Sequence, residues 1–194
     1  INRDHTVLIP GTLTVNPKEV GLTWSTTTSF PYDGMAHTLT ATATGTVNGD
    51  VIGVTVTTSA KEGSSLTGYD AINAGSYTAT ASTLTLNGTD TPAGNYTLPV
   101  ADTQDFTINK ITLTIKANDN TITYGDAPAG NGVTYSGFIE GENENTEGMF
   151  TGTLGYTSSY SQFGEVGDTY TITPDGLTAA NYDITFKNGT LTTT

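Results

Sequence analysis

The sequence predicts an all-β protein that consists of two tandem immunoglobulin-like β-sandwich modules in an elongated arrangement. Threonine supplies about a fifth of the 194 residues and glycine supplies 23 of them, both above average usage. Threonine is β-branched and favours strands, whereas glycine serves turns. Apolar residues alternate with polar ones along most of the chain, and no helical stripe persists for three turns. Short strands separated by turns are typical of a sandwich.

A repeated order of motifs predicts the domain organisation. Motifs of the first half recur in the second half at offsets of about 90 residues, which is the size of a domain and too long for a solenoid repeat. The matching pairs are Tyr32-Asp33-Gly34 and Tyr124-Gly125-Asp126, Ala74-Gly75-Ser76-Tyr77 and Val166-Gly167-Asp168-Thr169-Tyr170, and Gly94-Asn95-Tyr96 and Ala180-Asn181-Tyr182. Residues 16–109 and 110–194 are therefore predicted to be the two modules. Residues 1–15 are predicted to be the closing strand of a preceding repeat, which implies a segment taken from a longer polypeptide.

The strands follow from the alternation of apolar and polar residues. It predicts strands, in chain order, at His37–Thr44, Tyr77–Ala81, Ile111–Ile115, Tyr170–Ile172 and Tyr182–Phe186.

The turns follow from glycine, proline and asparagine. Asn48-Gly49 and Asn188-Gly189 are predicted to form tight hairpin turns, because Asn-Gly accepts positive φ at both central positions. Pro174-Asp175-Gly176 is predicted to form a further β-turn. The acidic segment Glu140–Gly148 interrupts the alternation, and we expect a loop or one short helical turn there.

Two joints between repeats are predicted to be short. Asn16 and Pro17 form the first joint, and Asn109 and Lys110 form the second. Apolar alternation flanks each joint closely, and neither carries a Gly/Ser-rich or Pro-rich linker. A joint of this length permits little bending, so the sequence predicts a semi-rigid rod.

These motifs resemble two bacterial repeat modules, the YDG domain and the MBG domain, the latter named as mostly β with glycine. The YDG-type residues are Tyr32-Asp33-Gly34 and Ala36–Thr40, and the residues similar to the YGX type of MBG domain are Thr123–Asp126, Tyr135–Phe138, Val166–Ile172 and Asn181–Ile184. The resemblance covers nearly the whole chain. Such modules occur in tandem arrays of large secreted or surface-anchored bacterial proteins, often adhesins. The resemblance therefore implies an extracellular setting, and it implies no defined ligand.

Composition restricts the partners. Asp and Glu total 19 against 6 Lys and Arg, which gives a net charge of −13. Such a surface repels phosphate backbones, so nucleic acid and anionic membranes are poor partners. The chain contains no cysteine, and no apolar run approaches the roughly 20 residues that span a bilayer.

The two tyrosine motifs are predicted to be structural. Tyr32-Asp33-Gly34 and Tyr124-Gly125-Asp126 could serve as recognition loops. An aromatic plug followed by a glycine-dependent turn explains them more simply, with the tyrosine hydroxyl bonded to the backbone.

Neither catalysis nor a metal centre is predicted. His5 and His37 are the only histidines, and no nucleophile motif or metal-ligand spacing accompanies them. Asp119, Asp126, Glu142 and Glu144 supply hard oxygen ligands, so a structural Ca²⁺ is the one cofactor that the sequence suggests. No EF-hand spacing occurs among them, and acidic loops are usually solvated.

The function expected from the sequence is structural. The chain is interpreted as a non-catalytic adhesion segment of a bacterial surface or secreted protein that acts as a semi-rigid stalk or spacer. Its partners would be neighbouring repeats of the same polypeptide, and a host or matrix protein or a glycan. The alternative is a carbohydrate-binding accessory module of an extracellular glycan-utilising protein, which would need an exposed aromatic cluster.

Overall fold

The structure, a computed structural model, describes residues 11–47, 49–62, 70–86 and 93–194. These residues form strands and turns, and none of them lies in a helix, so the predicted all-β class is confirmed. The strands are β1 (Lys18–Glu19), β2 (Gly21–Trp24), β3 (Ser29–Pro31), β4 (Ala41–Thr44), β5 (Ile52–Ala60), β6 (Gly75–Leu86), β7 (Tyr96–Thr97), β8 (Thr103–Asn109), β9 (Ile111–Ala117), β10 (Asn120–Ile122), β11 (Val133–Ser136), β12 (Thr151–Ser158), β13 (Thr169–Thr178), β14 (Tyr182–Lys187) and β15 (Gly189–Thr193).

The chain divides into two compact units. The first takes the described residues within Ile1–Ser25, Thr40–Thr57 and Thr80–Thr103, and the second takes those within Thr26–Leu39, Thr58–Ala79 and Gln104–Thr194. The second unit thus contains all of residues 110–194 together with parts of residues 16–109. Two immunoglobulin-like modules with a boundary at residues 109 and 110 remain a prediction.

Each sequence repeat begins with the same strand pairing. β1 runs parallel to β7 with Lys18 opposite Tyr96, and β9 runs parallel to β14 with Ile111 opposite Tyr182. β2 and β9 then pair antiparallel with β4 and β11. The pairing places an Asn-Tyr pair beside the start of each repeat.

Each repeat also ends with the same pairing. β3 runs parallel to β8, and β10 runs parallel to β15. The backbone N–H of Tyr32 then donates to the Asn109 carbonyl at 2.8 Å, and that of Tyr124 donates to the Thr194 carbonyl at 3.0 Å. Tyr32 and Tyr124 therefore occupy equivalent places at the ends of β3 and β10.

Apolar residues of these strands form a core in each unit. In the first unit the buried residues Val20, Ile52, Ala93 and Tyr96 pack together. In the second unit a cluster of Ala117, Ile122, Tyr160, Ile172 and Leu191 joins β9, β10, β13 and β15. Alternate residues of β15 are buried, as are Ile172 and Pro174 in β13, as the period of a strand requires.

Four of the predicted strands lie within β6, β9, β13 and β14 and are confirmed. The prediction at His37–Thr44 is wrong at its start, because β4 begins at Ala41. His37 instead stacks on Phe30, with ring centroids 4.4 Å apart, and forms an isolated bridge with Ala71.

The hairpin predicted at Asn188-Gly189 is wrong. β14 belongs to the sheet β11-β9-β14, whereas β15 belongs to the sheet β10-β15-β13-β12, so the chain changes sheets at Asn188. Gly189 is required for close approach, since a Cβ there would lie 2.6 Å from the Ala117 carbonyl oxygen. Of the other Asn-Gly pair, Asn48 lies outside the described residues. Gly49 has φ of +72° beside a hydrogen bond from Asp50 N–H to the Val47 carbonyl.

The turn predicted at Pro174-Asp175-Gly176 is also wrong, because these residues lie inside β13. Within β13, β15 pairs with Thr169–Ile172, so Pro174 has a strand neighbour on one side and its missing N–H is tolerated.

The acidic segment Glu140–Gly148 is a loop, which is one of the two structures expected for it.

The close approach of Gly152 to Gly176 fixes the bulge between β12 and β13. The register shifts between Gly152 and Gly155, Gly152 has φ of +98°, and a Cβ on it would meet the Gly176 carbonyl oxygen. We expect Gly152→Ala to lower the free energy of unfolding by about 2–4 kcal/mol, measured by chemical denaturation.

Gly148→Ala is the matched control for this change. Gly148 also has positive φ, but no atom lies within 4 Å of a Cβ built there. Its cost should be about 1 kcal/mol. Equal costs for the two variants would show that close backbone approach does not fix the bulge.

Candidate functional site

The candidate site is a carboxylate shared by two tyrosines. Glu142 Oε1 accepts a hydrogen bond from the Tyr32 hydroxyl at 2.5 Å, and its Oε2 accepts one from the Tyr182 hydroxyl. The two rings meet edge to face with centroids 5.6 Å apart. Tyr32 and Tyr182 are 5% and 2% exposed, so both hydroxyls need the partner that Glu142 provides.

Local structure aims each of these side chains. Tyr182 opens β14, and its hydroxyl also accepts the backbone N–H of Ile139 at 3.2 Å. Gly141, with φ of +87°, lies in a turn closed by Glu142 N–H and the Ile139 carbonyl. The acidic loop is therefore folded back onto Tyr182, and Glu142 faces the two hydroxyls.

An asparagine makes a second contact beside the carboxylate. Asn181 Oδ1 accepts the backbone N–H of Ala74 at 2.9 Å, and its Nδ2 donates to Asn73 Oδ1 at 3.0 Å. Tyr77 holds this loop in place, because its hydroxyl donates to the Asn73 carbonyl at 2.7 Å. Asn181 thus recognises a backbone group and a side chain together.

We call this set of residues the Glu142 junction. Its members are Tyr32, Asn73, Ala74, Glu142, Asn181 and Tyr182, and they line a cavity of about 320 Å³. The first three belong to the first sequence repeat and the last three to the second. All six lie in the second compact unit. The junction fastens one sequence repeat to the next.

The electrostatics of the junction keep both tyrosines as neutral donors. Burial, reinforced by the hydrogen bond to Glu142, raises the pKa of Tyr182 to about 12. The same causes raise the pKa of Tyr32 well above its ordinary value. The hydroxyls therefore keep their protons at neutral pH and satisfy both oxygens of the carboxylate.

The predicted joint at Asn109 and Lys110 adjoins the junction. A single residue, Lys110, separates β8 from β9. Its Nζ donates to the Ala179 carbonyl at 2.9 Å, and Asn109 Nδ2 donates to Ser29 Oγ at 2.7 Å. At the other predicted joint, Asn16 and Pro17 are exposed and precede β1.

The tyrosine motifs take different environments. After Tyr32, Asp33 Oδ1 accepts from Met35 N–H and lies 3.0 Å from His37 Nε2, while Gly34 has positive φ. These contacts, the Met35 N–H first, hold the pKa of the Asp33 carboxyl below its usual range. The predicted bond from the Tyr32 hydroxyl to the backbone is wrong, because a carboxylate from the next repeat is its acceptor.

Tyr124 differs from Tyr32 because it is 54% exposed. Its ring touches Phe163, with centroids 6.0 Å apart. Gly125 follows with positive φ, and Asp126 Oδ2 accepts the Thr123 N–H at 3.0 Å.

Three of the four candidate calcium ligands accept hydrogen bonds within the chain. Asp119 Oδ1 accepts the Thr190 N–H at 2.8 Å, Asp126 and Glu142 make the bonds given above, and Glu144 is exposed. Within the described ranges, no three His, Asp or Glu side chains converge into a group that could hold a metal. A structural Ca²⁺ remains a prediction.

The partnership of Glu142 could not be read from the acidic composition of its loop. One signal does mark it in the sequence. Val47-Asn48-Gly49-Asp50 and Ile139-Glu140-Gly141-Glu142 both place an acid after a glycine, three residues beyond an aliphatic residue. That repeated pattern separates Glu142 from the solvated acids around it.

The described residues thus form an all-β protein, and its candidate site joins side chains from residues 16–109 to side chains from residues 110–194. Residues 113–192 match the model of the family described as the MBG domain (YGX type), which confirms the resemblance of the second sequence repeat. The YDG-like character of residues 16–109 remains a prediction. No curated protein and no solved structure matched the chain. In the part of the chain that the structure describes, no helix is long and apolar enough to cross a membrane.

The Glu142 junction predicts a measurable cost for losing one hydroxyl. Tyr32→Phe removes only the donor to Glu142 Oε1 and leaves the ring in place. We expect the free energy of unfolding to fall by about 1.5–3 kcal/mol, because the lost hydrogen bond involves a charged acceptor. Chemical denaturation measures this change.

Tyr124→Phe is the matched control, because Tyr124 occupies the equivalent place and is exposed. Its effect should stay within about 0.5 kcal/mol. If the two substitutions cost the same, the Tyr32–Glu142 contact is not what stabilises this region.

The tyrosine pKa values predict a loss of stability in alkaline solution. Tyrosine ionises near pH 10 in the unfolded chain. Since the folded pKa of Tyr182 is about 12, its contribution is fully present below about pH 10 and is lost as the pH rises through about 12. Tyr32 acts in the same direction, as do Tyr77, Tyr135 and Tyr170, whose pKa values burial also raises.

Urea unfolding across this pH range measures the effect. The free energy of unfolding should fall steeply with pH in the natural protein and less steeply in Tyr182→Phe. An unchanged slope in Tyr182→Phe would contradict the prediction.

Proposed function

We propose that this chain is a non-catalytic structural segment of a bacterial cell-surface or secreted protein, acting as a semi-rigid stalk or spacer. The observation that carries the proposal is the Glu142 junction, in which side chains of one sequence repeat are bonded to side chains of the next. The match of residues 113–192 to the MBG domain supports a surface-protein setting.

Stiffness would arise from two constraints that act together. Lys110 is the only residue between β8 and β9, so the backbone joint is short. Beside it, Tyr32 binds Glu142, and the Ala74 N–H and the Asn73 side chain bind Asn181. Bending at this joint would separate these groups and leave Glu142 Oε1 and the Tyr32 hydroxyl without each other, while Tyr182 stays bound to Oε2. Leaving a partly buried donor and acceptor unsatisfied costs more than the net gain from a typical hydrogen bond.

The surface charge suits such a role. A net charge of −13 favours solubility and discourages nonspecific association with nucleic acid or anionic membranes. A segment that only holds other domains at a distance needs little else from its surface.

The glycan-binding alternative receives no specific support from the site. A sugar platform needs exposed aromatic faces, whereas the rings of Tyr32 and Tyr182 are buried. A host or matrix partner likewise remains a prediction, because the junction is occupied by residues of the chain itself.

A distance measurement tests the proposal directly. The sequence has no cysteine, so Ser59→Cys and Thr157→Cys would place spin labels on exposed positions of β5 and β12, one in each sequence repeat. Electron–electron resonance should give a narrow distance distribution in this background. Adding Tyr32→Ala should broaden it, because the junction loses its first donor.

Tyr124→Ala in the same labelled background is the control, and it should leave the distribution narrow. The measurement is made on dilute protein so that only single molecules contribute. A broad distribution without any junction substitution, or equal broadening by both substitutions, would contradict a semi-rigid spacer.

A further inference from the structure

The first sequence repeat carries a second copy of half of the junction. The Tyr96 hydroxyl donates to Asp50 Oδ2 at 2.7 Å and accepts the Val47 N–H at 3.0 Å. The Asp50 N–H donates to the Val47 carbonyl at 3.0 Å. Each of these bonds has its counterpart among Tyr182, Glu142 and Ile139.

The backbone around both places also agrees. Lys18 N–H donates to the Asn95 carbonyl at 2.9 Å, as Ile111 N–H donates to the Asn181 carbonyl at 3.3 Å. Asn95 therefore stands beside Tyr96 as Asn181 stands beside Tyr182. We call Val47, Asp50, Asn95 and Tyr96 the Asp50 site, and all four lie in the first compact unit.

The two places differ in what fills them. At the Glu142 junction, the second carboxylate oxygen and the Asn181 amide bind Tyr32, Asn73 and Ala74. At the Asp50 site, no described residue hydrogen-bonds to Asp50 Oδ1 or to the Asn95 side chain.

The space at the Asp50 site is open and partly apolar. A cavity of about 400 Å³ lies between Val15–Lys18, Asp50 and Gly94–Tyr96. Val15 and Val47 line it and are 84% and 47% exposed. Exposed apolar side chains beside polar groups that no described residue binds indicate a surface that a partner covers.

The second sequence repeat carries the complementary half. Tyr124 occupies the place of Tyr32, and Val166-Gly167 corresponds in the sequence to Ala74-Gly75. Tyr124, Phe163 and Val166 are 54%, 63% and 59% exposed, although Tyr32 is buried. Phe163 also has φ of +71°, a conformation that is unfavourable for a bulky residue. We use the name Tyr124 loop for the surface formed by Tyr124, after β10, and by Phe163 and Val166, between β12 and β13.

We propose that the Asp50 site binds the Tyr124 loop of a second copy of this chain. The Tyr124 hydroxyl donates to Asp50 Oδ1, its ring packs against Tyr96, and the backbone at Val166 bonds the Asn95 amide. The proposal rests on the junction described under Proposed function, because the Tyr32–Glu142–Tyr182 arrangement is its template. In this contact a tyrosine hydroxyl binds a carboxylate, and an exposed backbone group binds a side-chain amide.

One basic group at this contact can offset acidic ones. Lys18 lines the Asp50 site, whereas Glu165 and Asp168 flank Val166 beside the Tyr124 loop. The net charge of −13 opposes association of two copies at long range. Added salt screens that repulsion, so association should strengthen from low to moderate ionic strength.

The copies should join head to tail. The two surfaces differ, so each copy uses one of each and the contact is heterologous. Analytical ultracentrifugation from about 10 μM to about 1 mM, a range that spans weak association, should show a mean mass that rises with concentration and passes the mass of a dimer.

Two substitutions disable the two surfaces one at a time. Tyr124→Ala removes the loop's tyrosine, and Asn95→Glu places a repelling charge in the Asp50 site. Asn95 is preferred to Asp50, because Asp50 also holds Tyr96 within the fold. Each variant alone should lose the rise in mass, and a mixture of the two should form a heterodimer and nothing larger. Tyr124→Phe should weaken association about tenfold.

Three results would overturn the proposal. They are a monomer throughout the concentration range, unchanged association of Tyr124→Ala, or no heterodimer in the mixture. None of them affects the Tyr32–Glu142 contact, which the spin-label distances report on dilute protein. Failure of head-to-tail binding with a narrow distance distribution would leave the spacer role intact. A broad distribution together with head-to-tail binding would remove the spacer role and leave the binding.

Discussion

The arrangement around Glu142 depends on one requirement. A half-buried carboxylate and two buried tyrosine hydroxyls must satisfy each other's hydrogen-bonding capacity. Burying a tyrosine ring gains hydrophobic free energy, but its hydroxyl must find an acceptor. Glu142 offers two oxygens, and each accepts one hydroxyl. Because Tyr32 and Tyr182 come from different sequence repeats, the requirement can be met only when the two repeats are fastened together.

Parallel strand pairing brings the partners to one place. β3 beside β8 carries Tyr32 to the end of the first repeat, and β9 beside β14 carries Asn181 and Tyr182 to the start of the second. With Lys110 alone between β8 and β9, these two edges cannot separate far. Sheet register therefore sets the positions of the two tyrosines and the asparagine, and the loop around Glu142 supplies the carboxylate.

Sequence reasoning reaches the strands and the repeat more easily than the junction. Alternation and recurrent tyrosines identify β9, β13, β14 and the equivalence of Tyr96 and Tyr182, because these signals are local or repeated. Tyr32 and Glu142 lie 110 residues apart, and no local pattern joins them. The predictions of turns at Pro174 and Asn188 were wrong for a related reason. At Pro174 the pairing with β12 overrides the turn that the short motif favours, and at Asn188-Gly189 the close approach of Gly189 to Ala117 does so.

Each of the two repeats carries residues that correspond to both halves of the Glu142 junction. The acceptor half is an acid, a tyrosine and an asparagine beside the first strand of the repeat, and the donor half is a tyrosine and a backbone loop beside its closing strand. Both halves therefore recur at equivalent places in the two repeats. Glu142 and Asp50 differ by one methylene, and both bind the tyrosine of their own repeat through one oxygen. At Glu142 the other oxygen binds Tyr32 of the preceding repeat, and the proposed contact between copies gives Asp50 Oδ1 the same use.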